Sequence, residues 1–316
     1  MTAAPGFDAI KAARARIAGS IRRTPVLSSD FIDEELGASV FFKCENLQVS
    51  GAFKARGAFS AVLKLPAAQA ARGVVTHSSG NHGAALALAA RSRGIACHVV
   101  APRTTPESKQ RNMRRYGAKL TLCEPNLAAR QAAAERILAE TGATLIHPFD
   151  DADVMAGQGT VALELIEQVP DLDLIVCPIG GGGLISGTAV AAHGLNPKIR
   201  ILGAEPEGAD DALRSHRAGV ITPVAQPASL ADGLLATIAP STFEVIRTQV
   251  HAVGTASEAQ LVAAMRRVWE ELKIIIEASS AVPVAALLNG SLSVSGRRVG
   301  VVLTGGNVDL QRLPWS

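Results

Sequence analysis

Aromatic side chains are scarce in this chain of 316 residues, in which Phe, Tyr and Trp together make up 3%. Apolar residues nevertheless account for 48%, so any core must be built mainly from Ala, Val, Leu and Ile. Because the buried fraction grows with chain length, this composition suffices for one large domain or two medium ones. The sequence has no stretch of about 18 uncharged apolar residues, so we expect no membrane span.

An excess of one charge is also missing, since the formal net charge is only +3. Without a basic run, or basic residues interleaved with aromatic ones, the sequence predicts no nucleic-acid partner. Residues 1–23 alternate apolar and basic side chains and lack the apolar centre of a secretory signal.

Cysteine is rare as well, and its spacing is uninformative for chemistry. The four cysteines are Cys44, Cys97, Cys123 and Cys177, with no C-x-x-C pair among them. This spacing predicts neither a disulfide framework nor a zinc site. Three of the four end apolar, strand-like runs, where cysteine serves as a small buried hydrophobe. This usage predicts a reducing compartment, and hence a cytoplasmic protein.

Short apolar runs alternate with Ala-rich helical segments along most of the chain. This alternation predicts an α/β fold whose mostly parallel sheets are covered on both faces by helices. The predicted strands are 38–44, 73–77, 95–101, 119–123, 143–147, 172–179, 199–205 and 297–305. The clearest predicted helices are 81–94, 126–142 and 257–273. Residues 206–240 are richer in Gly, Pro and short polar side chains, which predicts loops.

The stretch SGAFKARGA, residues 50–58, places a lysine among small and apolar residues. Lys54 has two interpretations. It is either a solvated charge or an amine kept from water, which then loses its proton and acts as a nucleophile. The surrounding residues do not decide between the two.

The strand–helix junction HSSGNHGA, residues 77–84, crowds small donors and backbone N–H groups at a predicted helix start. Such a terminus attracts anions, because its unpaired N–H groups and the helix dipole favour negative charge. The alternative is an ordinary helix start capped by Ser or Asn.

The junction PIGGGGLISG, residues 178–187, contains four consecutive glycines. Glycine loses more backbone entropy than alanine on folding, and a phosphate pressed against bare amides is the usual reason for such a run. The run lacks the Gly-Lys-Ser/Thr ending of a P-loop. A dinucleotide site is not expected either, because the nearest following acid, Glu205, is followed by proline.

A third junction, VVLTGGNVDL at residues 301–310, places a hydroxyl at the end of the last predicted strand. In α/β sheets that position faces the ligand crevice, although the residues alone also fit a tight turn. A lysine amine combined with a phosphate loop is what a pyridoxal-phosphate enzyme needs, since the cofactor aldehyde bonds the amine and its phosphate binds the amides.

Several segments, in order along nearly the whole chain, now carry a resemblance. The sequence resembles the serine/threonine dehydratase–serine racemase group of fold-type II (tryptophan-synthase-β-like) pyridoxal-phosphate enzymes, which includes 3-hydroxyaspartate dehydratases. The segments are RRTPVL, FFKCENLQVSGAFKARGA, SSGNHGAALA, AGQGTVALE, GGGGLISG, ADGL and TGGNVDL.

The resemblance implies two three-layer α/β/α domains with mostly parallel twisted sheets and the cofactor in the cleft between them. The large domain would comprise residues 1–48 and 147–316, and the small domain 49–146. The implied reaction is removal of water from serine, threonine or 3-hydroxyaspartate, giving a 2-keto acid and ammonia. The alternative is a racemase with dehydratase side activity. A homodimer is the family expectation.

The resemblance also implies roles for individual residues. Lys54 would bond the cofactor and Ser79 would deliver a proton on the opposite face. The implied cofactor-binding residues are Phe53, Lys54, Asn81, Gly180, Gly181, Gly182, Gly183, Leu184 and Thr304. The implied substrate-binding residues are Ser78, Ser79, Gly80, Asn81, His82 and Arg136.

A divalent-metal site is implied at Glu205, Ala209 and Asp211, where two carboxylates and a backbone carbonyl would suit Mg²⁺, or Ca²⁺ or Mn²⁺. The alternative for these residues is a solvated acidic loop. Arg136 would suit a substrate with a second carboxylate, such as 3-hydroxyaspartate, but is equally an exposed residue of an amphipathic helix. Two interpretations from other classes are a nicotinamide-dependent oxidoreductase and a catalytically silent binding protein.

Overall fold

The computed structural model describes residues 3–315 and contains two separate sheets. The larger sheet has six strands in the order β1-β2-β10-β7-β8-β9, and the smaller has four in the order β5-β4-β3-β6. Of the strand pairs within these residues, only β1–β2 is antiparallel. The strands are β1 (Val26–Leu27), β2 (Ser39–Cys44), β3 (Val74–His77), β4 (Cys97–Pro102), β5 (Lys119–Cys123), β6 (Thr144–Leu145), β7 (Leu174–Pro178), β8 (Arg200–Pro206), β9 (Val250–Ala256) and β10 (Arg298–Leu303).

Helices fill most of the chain between the strands. No helix within residues 3–315 is long and apolar enough to cross a membrane. They are α1 (Phe7–Ile17), α2 (Asp30–Leu36), α3 (Lys54–Lys64), α4 (Ala67–Ala70), α5 (Asn81–Ser92), α6 (Glu107–Arg115), α7 (Leu127–Thr141), α8 (Ala152–Gln168), α9 (Gly183–Leu195), α10 (Asp211–Ala218), α11 (Pro240–Gln249), α12 (Glu258–Leu272) and α13 (Ala278–Leu288).

Each sheet separates two apolar cores. Along β7, Leu174 and Val176 pack into one core, and Ile175 and Cys177 pack into the core on the opposite face. Successive strand residues point to opposite faces, so a continuous apolar run is what a sheet covered on both sides requires. The predicted α/β fold with mostly parallel, two-sided sheets is confirmed.

The eight predicted strands all occur, and two further strands were not predicted. β1 has only two residues and carries no period that a sequence pattern can reveal. β9 is an edge strand with the sequence VHAVGTA, in which an exposed His251 and Gly254 interrupt the apolar pattern. All strands of the smaller sheet fall within residues 74–145, in keeping with the predicted small domain, whose boundaries remain a prediction.

The helix ends follow local capping chemistry. Asn126 precedes α7 and its side chain accepts a hydrogen bond from Ala129 N at 2.8 Å, while Gly142 ends the helix in the left-handed conformation. Ser257 and Gln260 form a capping box at the start of α12. These signals lie within a few residues of each end, which is why both helices were predicted almost to the residue.

Helix α3, which begins with Lys54, lies against α8 at glycine contacts. A side chain on Gly157 would collide with the backbone of Arg56, and its Cβ would lie 2.6 Å from Gly57 Cα. Only glycine therefore allows the two helices to approach this closely. The close approach fixes the first turn of α3.

A fully buried ion network holds the same turn. Arg56 is 0% exposed and donates to both Glu45 oxygens and both Glu164 oxygens at 2.8 Å. Lys43, also buried, donates to Glu164 at 2.9 Å. Because buried charges are tolerated only when they are paired and hydrogen-bonded, the network ties β2, α3 and α8 together beside Lys54.

The four cysteines are all buried, and the structure shows each of them as a free thiol. Burial raises the pKa of Cys44, Cys97 and Cys177 to about 12. They are thus inert small hydrophobes, as the sequence predicted.

Candidate active site

Lys54 is the first residue of α3, and its side chain is half-buried. Its Nζ donates to the Pro148 carbonyl at 2.8 Å and lies 5.1 Å from the centre of the Phe53 ring. Burial lowers the pKa of this amine to about 8. Of the two interpretations of Lys54, this geometry favours the amine that loses its proton readily.

The four glycines form the junction between β7 and α9. Gly182 has φ +86°, and a Cβ there would lie 2.7 Å from Thr242. A side chain on Gly181 would collide with the Phe149 ring. Thr242 Oγ1 donates to the Gly181 carbonyl at 2.9 Å and so holds the loop.

Helix α9 begins at Gly183 with no side-chain cap, which leaves the N–H groups of its first turn available to an anion. Leu184 follows within that turn and is buried, 6% exposed. Bare amides at a helix start, in a loop where Cβ atoms do not fit, suit a phosphate group. The predicted phosphate loop therefore has a fitting geometry.

Two further predicted residues are Thr304, at a strand end, and Asn81, at a helix start. Thr304 directly follows β10 and is 3% exposed, and its carbonyl accepts from Phe53 N at 2.9 Å. The hydroxyls of Thr304 and Ser280 lie 3.1 Å apart. Asn81 begins α5, and its side-chain amide donates to Glu277 at 2.6 Å. The hydrogen bond from Phe53 N to the Thr304 carbonyl thus joins the Lys54 segment to the end of β10.

The Ser78–His82 segment forms the turn between β3 and α5. The Ser78 hydroxyl accepts from the backbone N–H groups of Gly80 and Gly83, at 3.2 and 3.1 Å, while Ser79 is exposed. His82 is buried, and its Nε2 lies 3.3 Å from the Ile146 carbonyl. Burial, together with the nearby charge of Lys54, holds the pKa of His82 well below its usual value. His82 is accordingly a neutral residue that shapes the turn.

The structure does not place Arg136 among the residues of the Ser78–His82 turn. Arg136 is exposed on α7 and faces Glu140, with 3.9 Å between the charged atoms. Arg130, on the same helix, is half-buried, and its Nε has no hydrogen-bond partner among residues 3–315. Burial, followed by the charge of Arg130, lowers the pKa of His77 at the end of β3. Arg130 therefore lies close enough to His77, which precedes the Ser78–His82 turn, for its charge to act there, and it was not among the predicted residues.

A sequence signal for Arg130 was present. Ala134 and Ile137 are the buried residues of α7, and Arg130 lies four and seven positions before them, on the same helix face. Arg136 lies off that face.

The three predicted metal ligands are buried together, with Glu205 and Ala209 0% and Asp211 3% exposed. Glu205 accepts from Ala212 N at 3.0 Å and Leu213 N at 2.8 Å, and Asp211 accepts from Ile238 N at 2.9 Å. Burial raises the pKa of Glu205 to about 8 and that of Asp211 to about 6. A solvated acidic loop does not describe these side chains.

No group of three or more His, Cys, Asp or Glu side chains in the described part of the chain could hold a metal ion. The predicted set has two carboxylates, and its third ligand is the Ala209 backbone carbonyl. The hydrogen-bond and ion-pair contacts of residues 3–315 give neither carboxylate a cationic side chain as partner. Two buried carboxyl groups in this situation fit a divalent cation.

One ion pair at the site was not predicted. Lys109 of α6 pairs with Asp232, and its Nζ would lie 3.7 Å from a Cβ placed on Gly80. Gly233, next to Asp232, packs its carbonyl 3.0 Å from the Cβ position of Gly180. The pair therefore connects the Ser78–His82 turn with the segment that contacts the glycine loop.

Comparison with known proteins agrees with this geometry. The family model described as "Pyridoxal-phosphate dependent enzyme" matches residues 17–305. A beta-hydroxyaspartate dehydratase from Paracoccus denitrificans (strain Pd 1222) is 50% identical, with 99% of both chains covered. A serine racemase from Arabidopsis thaliana is 48% identical, with 96% of this chain and 93% of that protein covered.

Among solved structures, maize serine racemase superposes with a TM-score of 0.96 at 46% identity, covering 98% of this chain and 95% of that one. The family match decides between the cofactor alternatives in favour of pyridoxal phosphate over nicotinamide. The chain belongs to the pyridoxal-phosphate dependent enzymes and has their fold-type II architecture.

Proposed function

We propose that this protein is a pyridoxal-phosphate-dependent dehydratase (ammonia-lyase) that removes water from a β-hydroxy amino acid. The 2-keto acid and ammonia are its products, and 3-hydroxyaspartate is the substrate we favour. The observation that carries the proposal is the half-buried Lys54 amine, held at 2.8 Å from the Pro148 carbonyl, with a pKa that burial lowers to about 8. The dehydratase named for the Paracoccus relative supports the reaction class.

The residues fit the cofactor. The Gly180–Gly183 loop and the uncapped start of α9 would hold its phosphate, and Lys54 would bond its aldehyde. Asn81 would meet the ring hydroxyl, with Phe53 against the ring. Thr304 would face the ring nitrogen. When bound, the cofactor supplies the electron sink that acidifies the α-proton of an amino acid.

The chain itself binds the substrate and moves its protons. The Ser78–His82 turn would bind the α-carboxylate with its backbone N–H groups at the start of α5. Lys54, with its lowered pKa, would remove the α-proton. Thr304 presents a hydroxyl rather than a carboxylate, so it does not hold a ring nitrogen protonated. This choice favours elimination over transamination.

Arg130 is the residue that we propose reads the second carboxylate of 3-hydroxyaspartate. Its half-buried guanidinium has an Nε without a partner among residues 3–315 and lies close enough to His77 to lower that pKa. A carboxylate is the natural partner of such a group, because charge-assisted hydrogen bonds are the strong ones. Arg136, exposed beside Glu140, is less suited to this role.

Substituting Arg130 should therefore change substrate selectivity. In Arg130→Ala we expect kcat/KM for 3-hydroxyaspartate to fall about 10- to 100-fold, the value of a lost charge-assisted hydrogen bond, with a smaller effect on serine. Arg136→Ala, on the same helix, is the matched control and should stay within about twofold, as surface substitutions usually do. Steady-state kinetics on both substrates measure this. Equal losses in the two variants would contradict the assignment.

The alternative of a racemase with dehydratase side activity is supported by the exposed Ser79 in the Ser78–His82 turn and by the serine racemase relatives. A substrate panel separates the two functions. The protein would be incubated with L- and D-serine, L-threonine and each 3-hydroxyaspartate isomer, and keto acid, ammonia and the opposite enantiomer would be measured. Keto acid and ammonia from a 3-hydroxyaspartate isomer support the dehydratase. Enantiomer without keto acid would make the racemase the function.

We further propose a Mg²⁺ site at Glu205, the Ala209 carbonyl and Asp211, where Ca²⁺ or Mn²⁺ could also bind. Support comes from the two carboxyl groups that are buried without a cationic partner among residues 3–315. A metal bound only by the native state stabilises the fold by mass action.

Removing divalent metal should accordingly lower the melting temperature. With a chelator we expect a fall of about 5 °C in the wild type, reversed by excess Mg²⁺. Glu205→Gln should show no such metal dependence, whereas Glu207→Gln, at an exposed neighbour, should keep it. Differential scanning calorimetry measures these temperatures. A metal response that persists in Glu205→Gln would argue against this site.

A homodimer in the cytoplasm is proposed as well. The four buried free thiols support a reducing compartment. Sedimentation of the purified protein tests the dimer.

A further inference from the structure

A chain of side-chain hydrogen bonds joins Asn307, Asn81 and Glu277 at the candidate active site. Asn307 Nδ2 donates to the Ser50 carbonyl at 2.8 Å and to Asn81 Oδ1 at 2.8 Å. Asn81 Nδ2 in turn donates to Glu277 Oε1 at 2.6 Å. The segments that meet here lie 196 to 257 positions apart in the sequence.

The chemistry of these groups fixes the direction of every bond. The Ser50 carbonyl can only accept, so the amide of Asn307 must face it with its nitrogen. Asn307 Nδ2 also donates to Asn81 Oδ1, so Asn81 Nδ2 must point towards Glu277. Glu277 accepts there whether it is charged or protonated, since a carboxyl keeps acceptor capacity in both forms. The Asn81 amide therefore has one orientation.

This orientation leaves one hydrogen of Asn81 for a ligand. Asn81 Nδ2 carries two hydrogens, and among residues 3–315 it has one acceptor, Glu277. The side chain is half-buried at the first residue of α5. An acceptor oxygen of a bound molecule is the partner that suits the remaining N–H.

Glu277 is buried, and neighbouring residues fix its position. It is 7% exposed, and its backbone N–H donates to the Gly305 carbonyl at 2.9 Å. Any side chain on Gly305 would collide with the Glu277 carboxyl. The charged groups that face it are Lys109 from α6 and Asp232 from the turn before α11. Burial raises the pKa of Glu277 to about 7, with Lys109 and the Asn81 hydrogen bond opposing and Asp232 reinforcing the shift.

We propose that Glu277 is a positioning residue for the cofactor: its carboxyl oxygen, together with Asn307, holds the Asn81 amide so that an N–H donates to the ring hydroxyl oxygen. Glu277 does not touch the cofactor in this arrangement and acts through Asn81. The inference rests on the proposed contact between Asn81 and the cofactor. It explains why a carboxyl group is buried beside a strand end that already carries Thr304.

The test compares Glu277→Gln, which keeps an acceptor oxygen, with Glu277→Ala, which removes it. Apoenzyme would be titrated with pyridoxal phosphate, without substrate, and the dissociation constant and visible absorption maximum recorded. We expect about tenfold weaker binding and a shifted maximum in Glu277→Ala, the effect of one lost hydrogen bond to an ionisable group. Glu277→Gln should restore both values.

Asn307→Asp is a second variant that leaves Glu277 intact. The introduced carboxylate has no N–H to donate, so the bond to the Ser50 carbonyl is lost and Asn81 turns its nitrogen towards the new acceptor. This variant should reproduce the effects of Glu277→Ala and serves if Glu277→Ala fails to fold. Wild-type affinity and absorption in either Glu277→Ala or Asn307→Asp would overturn the inference. A wild type that binds no cofactor would overturn the proposed function as well, which distinguishes the two failures.

Discussion

Lys54→Ala should lower the turnover of any amino-acid substrate by about 10³-fold or more, because the general base and the covalent attachment of the cofactor are lost together. The visible absorption of the bound cofactor should change at the same time, since its aldehyde loses the amine that it bonds. Product release and absorption spectra of the purified variant measure both effects. Lys64→Ala, at the exposed end of α3, is the control and should leave both unchanged.

The pH dependence of cofactor capture provides an independent measure of Lys54. Burial lowers the pKa of its amine from 10.5 to about 8, so the reactive free amine is nearly fully formed above that value. The rate at which the apoenzyme captures pyridoxal phosphate should therefore rise up to about pH 8 and then level off. A rate that keeps rising to about pH 10 would indicate a solvated lysine. Stopped-flow absorption distinguishes these outcomes.

Arg56→Met should lower the free energy of unfolding by about 3–5 kcal/mol, the usual effect of removing one partner from a buried ion pair. The substitution leaves Glu45 and Glu164 buried with only Lys43 and hydroxyl groups as partners among residues 3–315. Lys64→Met, on the same helix, removes an exposed pair with Asp153 and should lose less than about 1 kcal/mol. Urea unfolding followed by circular dichroism measures both values. Equal losses would mean that the network adds nothing beyond a surface pair.

The same network should be sensitive to acid. Although burial alone would raise the pKa of Glu164, the hydrogen bonds and charges of Arg56 and Lys43 hold it below its usual value of 4.5. A carboxyl group whose pKa is lower in the native state than in the unfolded state stabilises the native state at pH values above its unfolded-state pKa. This contribution is lost as the pH falls through the native-state pKa. The stability difference between wild type and Arg56→Met should thus narrow below the usual pKa of 4.5.

The elements that could be predicted from sequence are those with local causes. The apolar runs of β2 and β5 and the capped helices α7 and α12 have their signals within a few residues of each boundary. β9 was missed because an edge strand with a polar face has no continuous apolar run. The resemblance, carried by short segments in a fixed order, supplied the family and the cofactor, which the comparisons confirm.

Some candidate site residues are easier to recognise from the sequence than others. Lys54 and the glycine loop stand out because a lysine in an apolar setting and four glycines are both locally unusual. The sequence prediction names Arg136 and not Arg130, since the choice between two arginines on one helix depends on which face packs against the sheet. The buried residues Ala134 and Ile137 identify that face, but burial is a property of the folded helix.

By itself, the amino-acid sequence determined the fold class and the family, and it singled out the Lys54 segment and the glycine loop as candidate site residues, because each depends on neighbouring residues or on the order of short segments. Only the tertiary structure decided which distant groups meet. Glu277 and Asn307 contact Asn81 across 196 and 226 positions, Lys109 pairs with Asp232 across 123, and Arg56 with Glu164 across 108. The physical reason is that such contacts depend on how helices and loops far apart in the sequence pack in the folded chain, and no local pattern of residue types encodes that packing.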